Sequence, residues 1–399
     1  MVEDGRQALP RPPRRVPVGA GVLTQLQTPV PRTPRRGPRP PWKFGRFLAG
    51  LLVVLLILGA GASAGWLIRA QSLKIDTAKV LDLAGPGVVR VLATTCAGDG
   101  EASGVVIGDG LVLTAASAMR QSLSMAIVTP DGRIRRANLL GTSPDGVAVL
   151  RMIGRLDEDP VPLAPTDPDR KAERAHIGYT AAGRQAVQKV GTTDRPRTLT
   201  EIMNTAKLGG PVVDKSGQLV GLVVGDTAKT ASIVPVARLR EYVVPNAPAL
   251  TPEPGGTCVR SLGPQTPIVP ELLVSKTKLA MEAQRLLGTY LTLMNQHDFG
   301  GLRTAYYSKR LLGALSEERD RDSHQTTYFF GARITEVTTN AQGVNARMMF
   351  TVLFSPNASG AKGQTCNRLD VRYRLVREGN RLKVDQGSSV NVAQSCDTD

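Results

Sequence analysis

Histidine is scarce in this chain. There are three among 399 residues, together with four cysteines and no C-x-x-C pair. Structural zinc sites are usually built from cysteine and histidine at short spacings, so the sequence predicts no metal site and no bound cofactor. Aromatic residues make up only 4% of the chain, but apolar residues reach 41%, which is enough for folded cores. At about 150 residues per domain, the length favours two or three folded units.

The first 46 residues have too few apolar side chains for a folded domain. They hold ten of the 28 prolines and ten lysines or arginines against Glu3 and Asp4, so half of the net charge of +16 lies there. Such a composition cannot bury enough surface to fold, and residues 1–46 are predicted to be a disordered basic tail. A nucleic-acid-binding arm is the alternative. The apolar segment that follows argues against it, and no nucleic-acid partner is predicted.

Residues 47–68 form a 22-residue stretch without a charge. About 20 apolar residues span a bilayer as a helix, and Trp42 and Trp66 bracket the stretch where interfacial aromatics belong. The basic tail precedes it, so the positive-inside rule places the N-terminus in the cytoplasm, near anionic lipids, and residues 69–399 outside. Ala62-Ser63-Ala64 resembles a signal-peptide cleavage site, but signal cores are shorter. We therefore expect a single-pass cell-membrane protein.

All four cysteines lie in the part predicted to be outside. An even number in an oxidising compartment indicates two disulfides. A hairpin turning at Gly379 would place Cys366 opposite a residue a few positions before Cys396, so these two are predicted to pair. Cys96 would then join Cys258 and tie the first folded unit to the linker. Spacing alone leaves all three pairings open.

The outer part divides into two folded units. Residues 72–243 show short runs rich in valine and leucine, bounded by glycine and aspartate, which is typical of an all-β barrel or sandwich. Residues 244–269 are rich in proline and are predicted to be a linker. In residues 270–396 an amphipathic helical pattern is followed by alternating strand patterns and a hairpin. This order indicates an α+β domain.

Six short segments follow one another between residues 102 and 236. They are Ala102–Ile107, Leu111–Ser117, Asp145–Leu150, Ala206–Asp214, Gly217–Val224 and Ser232–Val236. Their sequences and their order resemble those of trypsin-like serine proteases of the HtrA type. The resemblance implies a trypsin-like double β-barrel with the active site between its halves.

The resemblance fails at the three catalytic positions. Where the family has histidine, aspartate and serine, this chain has Ser117, Gly146 and Leu208. Leu208 has no nucleophilic atom, and Ser117 cannot act as a base near neutral pH. Asp145 is adjacent to the family's aspartate position, but a shift of one residue along a strand turns a side chain to the other face. A substitute base such as His176 would still have no serine to activate.

The loop that carries the family's nucleophile is also altered. Ala206 and Lys207 replace the family's Gly-Asn in the part that forms the oxyanion hole, whereas Gly209 and Gly210 are retained and suit a tight turn. The resemblance therefore implies a pseudoprotease that binds a protein or peptide and acts as a scaffold, sensor or regulator in the cell envelope. The first alternative is a structural spacer without a binding function. An active serine endopeptidase is the least favoured function.

Residues 270–396 resemble the NTF2-like superfamily. The resemblance rests on a long first helix with the ending Asn295–Phe299, a short second helix near Leu302–Leu315, and the strands that follow. Members form a cone around an apolar pocket, and some are enzymes. Ligand binding or catalysis in such a pocket is therefore the alternative function. Tyr290 and His297 are candidate pocket residues, although a cation at the helix C-terminus is the preferred interpretation of His297.

Overall fold

The computed structural model describes residues 50–58, 63, 66, 69 and 71–397, apart from 155–158, 193–194, 197–198, 200, 202–205, 245–246 and 248. The chain divides into two units at Trp66 and Leu67. In the first unit, residues 50–58 are helical and their large apolar side chains are more than half exposed. The predicted tail lies outside the described residues, as does about half of the predicted membrane segment. No helix in the described part of the chain is both long enough and apolar enough to cross a bilayer.

The second unit begins with a closed six-stranded barrel. Its strands are rich in valine, leucine and alanine, and β1 buries seven of its eight residues, so the barrel has an apolar interior. The strands pair in the order β1-β2-β3-β6-β5-β4, all antiparallel. They are β1 Val88–Thr95, β2 Glu101–Gly108, β3 Leu111–Ala115, β4 Ser122–Val128, β5 Ile134–Thr142 and β6 Val147–Met152.

A second six-stranded sheet packs against this barrel. Its order is β12-β11-β10-β7-β8-β9, and in the described residues it stays open instead of closing into the second barrel that the sequence predicts. A helix, α1 Thr77–Ala84, starts at the Asp76 cap and buries Val80 and Ala84 against the shared core. The strands are β7 Arg174–Tyr179, β8 Gln185–Thr192, β9 Arg195–Pro196, β10 Pro211–Val213, β11 Leu219–Val224 and β12 Ser232–Pro235, followed by helix α2 Val236–Tyr242.

The predicted linker lies on the surface of the first barrel. Thr251 pairs with Thr142, and Leu262 pairs with Thr95, in isolated β-bridges. The backbone N–H of Gly256 donates to the carbonyl of Ser122 at 3.1 Å. Prolines cannot donate hydrogen bonds, so the linker reaches the barrel through the residues between them.

The C-terminal part packs four helices against a sheet that is antiparallel except for its first, short strand. Threonine, aspartate and serine side chains cap the N-termini of all four helices, as such residues commonly do. The helices are α3 Lys278–Gln296, α4 Phe299–Tyr306, α5 Lys309–Ala314 and α6 Glu317–His324. The strands are β13 Glu271–Leu272, β14 Tyr328–Asn340, β15 Gly343–Leu353, β16 Cys366–Glu378 and β17 Arg381–Ser389, in that spatial order, and the short β13 is parallel to β14.

Both predicted cysteine pairs form disulfides. Cys366 joins Cys396 because the chain turns back after β17 and adds a short strand, β18 Gln394–Ser395, alongside β16. Cys96, just after β1, joins Cys258 in the linker over a separation of 162 residues. The second bridge therefore fixes the linker to the first barrel.

The first barrel and the C-terminal sheet share an apolar core, here called the interdomain core. It consists of Leu92, Ala126, Tyr328, Phe330, Leu353 and the Cys366–Cys396 bridge, all nearly inaccessible to solvent. At its edge the Arg136 guanidinium binds the Asp397 carboxylate through two hydrogen bonds of 2.9 Å. The two domains therefore meet over a packed apolar surface with a two-pronged ion pair beside it.

Loss of the Cys96–Cys258 bridge should destabilise the protein. The bridge joins residues 162 positions apart and thereby restricts the conformations of the unfolded chain. In Cys96→Ser/Cys258→Ser this restriction is lost, and the unfolded state gains conformational entropy. We expect the free energy of unfolding to fall by about 2–5 kcal/mol, as measured by urea denaturation. Non-reducing peptide mapping of the unmodified protein should give the two disulfides described, and a Cys258–Cys366 or Cys258–Cys396 peptide would contradict the pairing.

Candidate functional site

A cavity of about 170 Å³ lies between the first barrel and the second sheet, and is here called the cleft. Four of the sequence-predicted site residues, Ser117, Ala206, Lys207 and Leu208, line it. Among the described residues that line it there is no histidine. The full lining is Asp99, Glu101, Ser117, Ala118, Ala206, Lys207, Leu208, Asp226 and Thr227.

Ser117 connects the two sides of the cleft. It follows β3 in a short 3-10 turn, and its hydroxyl donates a 2.6 Å hydrogen bond to the carbonyl of Gly225, which follows β11. Close by, the Arg120 guanidinium lies 2.5 Å from a carboxylate oxygen of Asp226, in an ion pair that is more than half exposed. The hydroxyl of Ser117 is thus committed to the opposite wall of the cleft.

Gly146 lies in a tight turn before β6. Its φ of +81° is in the left-handed region that glycine tolerates best, and its carbonyl accepts from the N–H of Ala116 at 2.9 Å. The neighbouring Asp145 binds Tyr242 and Arg238 on α2. The hydrogen bond from Tyr242, followed by those from Arg238, lowers the pKa of Asp145. Asp145 lies in the turn before β6 and not on a strand. The direction of its side chain is therefore set by this turn, and strand alternation does not apply to it.

Ser103 of the first barrel holds residues 206–210, the loop that the resemblance aligns with the family's nucleophile loop. Its N–H donates to the carbonyl of Leu208 at 2.7 Å, and its hydroxyl donates to the carbonyl of Lys207 at 3.1 Å. A Cβ on Gly209 would lie 2.2 Å from the Ser103 carbonyl oxygen, and one on Gly210 would lie 2.3 Å from another backbone carbonyl. The retained glycines are therefore required by this close approach.

The Leu208 side chain packs onto apolar residues of the second sheet. It borders a buried cluster that includes Val212, Val220 and Val223. Ala206, two residues earlier, is also buried. At the position where the resemblance expects a reactive hydroxyl, the chain has a side chain that contributes to packing.

A buried carboxylate in the cleft wall binds two cations. Glu101, whose side chain is 1% exposed, accepts from Nε and Nη2 of Arg90 at 2.9 and 2.6 Å. Its other oxygen lies 3.2 Å from the Lys207 ammonium group. Burying a charge is costly unless it is paired, so the carboxylate and its two cations stabilise one another. Lys207 is thereby held against the wall of the cleft.

His176 lies behind the nucleophile loop and not in the cleft. It is on β7, its exposure is 1%, and neither ring nitrogen has a hydrogen-bond partner in the described structure. Burial lowers its pKa from 6.5 to about 4. The ring borders Gly178 and Gly210, so it is a neutral packing residue beneath the loop and does not reach the cleft.

The structure brings together residues that the sequence analysis did not select. Glu101, Arg120 and Asp226 all contribute charges at or beside the cleft. For Glu101 the sequence offers a weak signal. It is a charged residue directly before an apolar strand segment, and if that segment is buried, the charge needs a partner. No sequence signal identifies the carbonyl of Gly225 as the acceptor for Ser117.

The two candidate residues of the C-terminal domain contact different neighbours. The ring of Tyr290 lies 6.2 Å from that of Tyr307 and 5.8 Å from that of Tyr373, inside the domain core. The Tyr307 hydroxyl donates to the buried carboxylate of Asp320 at 2.6 Å. His297 lies two helical turns from Tyr290, about 10 Å along α3, and stacks on Phe299 at 5.9 Å. The described structure does not join the two candidates in one site.

The interpretation of His297 as a cation at the end of a helix is wrong. His297 caps α3 with a left-handed backbone, φ 55°, and is buried. Burial, followed by the charge of Arg260, lowers its pKa from 6.5 to about 4, so it is neutral at pH 7. The cation there is Arg260 of the linker, which donates to Nδ1 of His297 at 3.2 Å and to the carbonyl of Gln296 at 3.1 Å.

Comparison with known proteins agrees with this architecture. Residues 102–222, which include β2 to β10 and most of β11, match the sequence model of the trypsin-like peptidase domain. The chain carries a trypsin-like peptidase domain. No curated protein sequence shows a significant match to the chain.

Several solved structures are similar to part of this chain. The serine endoprotease of Yersinia pestis has 23% identity over 42% of this chain and 65% of its own, with a TM-score of 0.36. The inactive form of the Rv3671c protease of M. tuberculosis has 20% identity over 40% and 89%, with a TM-score of 0.32. The HtrA-type protease AlgW, solved with a decapeptide, has 18% identity over 42% and 65%, with a TM-score of 0.35. The chain spans less than two thirds of the Yersinia enzyme.

The buried His176 should make the stability of the trypsin-like domain sensitive to acid. Its folded pKa, about 4, lies below its unfolded value, 6.5, so the unfolded state binds the extra proton and stability falls as the pH drops from 6.5 towards 4. Over this window the contribution is about 3 kcal/mol. In His176→Val, the pH dependence of the free energy of unfolding, measured with urea, should decrease by this amount.

His297→Asn is the matched comparison for this measurement. His297 is the second buried histidine, it lies in the other domain, and its pKa is also lowered to about 4. Asparagine tolerates the left-handed backbone at this position. Each substitution on its own should make the free energy of unfolding less dependent on pH. If this pH dependence is unchanged in His176→Val, His176 is not a buried, neutral histidine.

Proposed function

We propose that the protein is a membrane-anchored, extracytoplasmic pseudoprotease that binds a protein or peptide and acts as a scaffold, sensor or regulator in the cell envelope. The observation that carries the proposal is that one cleft is lined by both Ser117 and Leu208, the residues that the resemblance aligns with the family's histidine and serine. Acyl transfer by a serine protease needs a hydroxyl, a base that accepts its proton, and a carboxylate that orients the base.

The contacts of each residue support the loss of catalysis. Ser117 donates its proton to a carbonyl across the cleft and has no basic nitrogen. Leu208 packs on the second sheet, and Gly146 has no side chain to orient a base. Asp145, the nearest carboxylate in sequence, is held by α2. The proton transfers of the reaction therefore have no path through these residues.

The charges of the cleft support a binding role better than a spacer role. The cavity, of about 170 Å³, is lined by three carboxylates and the Lys207 ammonium group, and two arginines pair with two of these carboxylates from beside it. The carboxylates are those of Asp99, Glu101 and Asp226, and the arginines are Arg90 and Arg120. An inert spacer would not require an ion pair with one partner almost fully buried, because such pairs seldom increase stability over apolar packing. A polar peptide segment would find complementary charges there.

The membrane anchor is part of the same proposal. It rests on the uncharged stretch 47–68, on the tryptophans that flank it and on the arginines that precede it. In this topology, the trypsin-like domain and the C-terminal domain face the same compartment, in which disulfides are stable.

The alternative function is chemistry or ligand binding in the C-terminal domain, which we compare with NTF2-like cones. A buried group of Tyr290, Tyr307 and Asp320, with His324 3.5 Å from the Asp320 carboxylate, favours it. These are groups that can carry protons. They are packed among core side chains, however, and the described cavities do not include Tyr290 or Tyr307. Binding through the trypsin-like domain remains the better-supported function.

The unmodified protein should have no peptidase activity. We expect no hydrolysis of casein or of small esters above background and no labelling by a fluorophosphonate probe, because the chain has no activated serine at the cleft. An HtrA-type protease assayed in parallel provides the positive control. Turnover that a serine inhibitor abolishes would refute the pseudoprotease assignment.

Restoring the triad should require all three residues. Leu208→Ser alone should leave activity at background, because a serine without a base is a poor nucleophile. Ser117→His, Gly146→Asp and Leu208→Ser together could give weak turnover. Aspartate at position 146 would need a left-handed backbone, which costs about 1 kcal/mol. Turnover above background by Leu208→Ser alone would mean that the residues are wrongly assigned.

The topology predicts which parts of the chain are accessible in intact cells. Protease added outside should digest residues 72–397 after mild destabilisation but should not reach residue 20, because the basic flank keeps the N-terminus inside. An epitope tag at each end, detected by immunoblotting, gives the readout. The reverse pattern, or a mature chain that begins near Gly65, would contradict the anchor.

A further inference from the structure

A second concave region lies between the first barrel and the C-terminal sheet, and is here called the interdomain groove. Its volume is about 440 Å³, within the range of small-molecule sites in proteins. It borders the interdomain core, because Phe330 belongs to both and two other lining residues, Val128 and Ile134, pack against that core. Its walls are thus set by the packing that joins the two domains.

The charge of the groove has one dominant sign. Four arginines line it, Arg90, Arg133, Arg333 and Arg368, and the single carboxylate in its described lining is Asp131. Arg90 and Arg133 come from the barrel, whereas Arg333 and Arg368 come from the sheet. The lining carries four positive charges and one negative charge, and Arg90 is in addition paired with Glu101, which lies outside the groove. The remaining excess of two positive charges attracts an anion.

The present partner of Arg333 is easily replaced. Its guanidinium lies 3.4 Å from Glu271, and both side chains are more than half exposed. Exposed ion pairs contribute little to stability, whereas a guanidinium fork binds a carboxylate or phosphate through two parallel hydrogen bonds. A ligand anion could thus take the place of Glu271 at little cost.

The rest of the groove is apolar and partly open. Leu273 and Met349 line it and are 55% and 47% exposed, respectively. Phe330 and Phe350 form the deeper part and are almost fully buried. Exposed apolar side chains beside a cationic wall indicate a ligand with both an anionic and an apolar part.

We infer that the interdomain groove binds a small amphiphile, an anionic head group on a short apolar chain. The head would contact Arg333 and Arg368, and the chain would lie against Leu273 and Met349. Carboxylate and phosphate head groups share this chemistry. The inference is independent of the proposed function, because it involves neither the cleft nor the loss of catalysis.

Calorimetric titration with octanoate and octyl phosphate tests the inference. The full chain is held in lipid nanodiscs, and empty nanodiscs provide the blank. We expect saturable binding of one or both probes, which also tells whether a carboxylate or a phosphate is preferred. Each methylene removed from octanoate should weaken Kd about fourfold, and added salt should weaken it further. Octyltrimethylammonium should not bind saturably.

Charge-removing variants assign the site. Arg333→Gln and Arg368→Gln should each weaken binding at least about tenfold, since a hydrogen bond to a charged group is lost. The matched control is Arg381→Gln, an exposed arginine on β17 of the same sheet and outside the groove, and its Kd should not change. Met349→Gln should weaken the binding of octanoate and not that of acetate. Circular dichroism checks that each variant is folded.

Several outcomes would overturn the inference. These are no saturable binding of either anionic probe, equal binding of octyltrimethylammonium, or affinities in Arg333→Gln and Arg368→Gln that match those of Arg381→Gln. Binding of an acidic, apolar tripeptide without binding of either amphiphile would also refute it, and would identify the groove as a peptide site. A failure of these titrations would leave the peptidase assays unaffected, so the two proposals are tested separately.

Discussion

Tyr328, Phe330 and Leu353 pack against Leu92 and Ala126 and hold the first barrel and the C-terminal sheet as one body. The Cys366–Cys396 bridge lies in the same core, and the Arg136–Asp397 pair closes its edge. The linker must return along the barrel to reach the sheet, and the interdomain groove exists because two curved surfaces are held together beside the apolar contact.

The cleft and the groove share a charged residue. Arg90 lines the groove, and its partner Glu101 lines the cleft and also holds Lys207. One buried carboxylate thus interacts with a cation from each region. The two regions are therefore connected through one buried ion-pair network.

The sequence predicted features that depend on local pattern. The alternating apolar runs gave the strands, and the Cys366–Cys396 pair followed from a hairpin with a turn at Gly379. The family resemblance pointed to Ser117 and Leu208, which the structure places around one cavity. These predictions depend only on residues that are close together in sequence or on the order of short segments along the chain.

Features that depend on residues distant in sequence were missed or wrong. His297 was taken for a cation because nothing nearby indicates that Arg260, 37 residues earlier, binds the end of α3. Glu101 was not selected because its partner Lys207 is more than 100 residues away. The closure expected of a second barrel is not seen in the described residues, where β9 and β12 are the edges of an open sheet. The alternation of apolar residues predicts strands. Whether a sheet of these strands closes into a barrel also depends on strand tilt and register.

The Arg136–Asp397 pair joins residues separated by 261 positions. A ribosome adds roughly 5–20 residues per second, so tens of seconds separate the synthesis of the first barrel from that of the segment that covers its outer face. During this interval Leu92 and Ala126 have no partner from the C-terminal sheet. Until the C-terminal sheet is synthesised, the apolar outer face of the first barrel must therefore either be exposed to solvent or be covered by another molecule. A slow step in folding should coincide with the synthesis of the last strands.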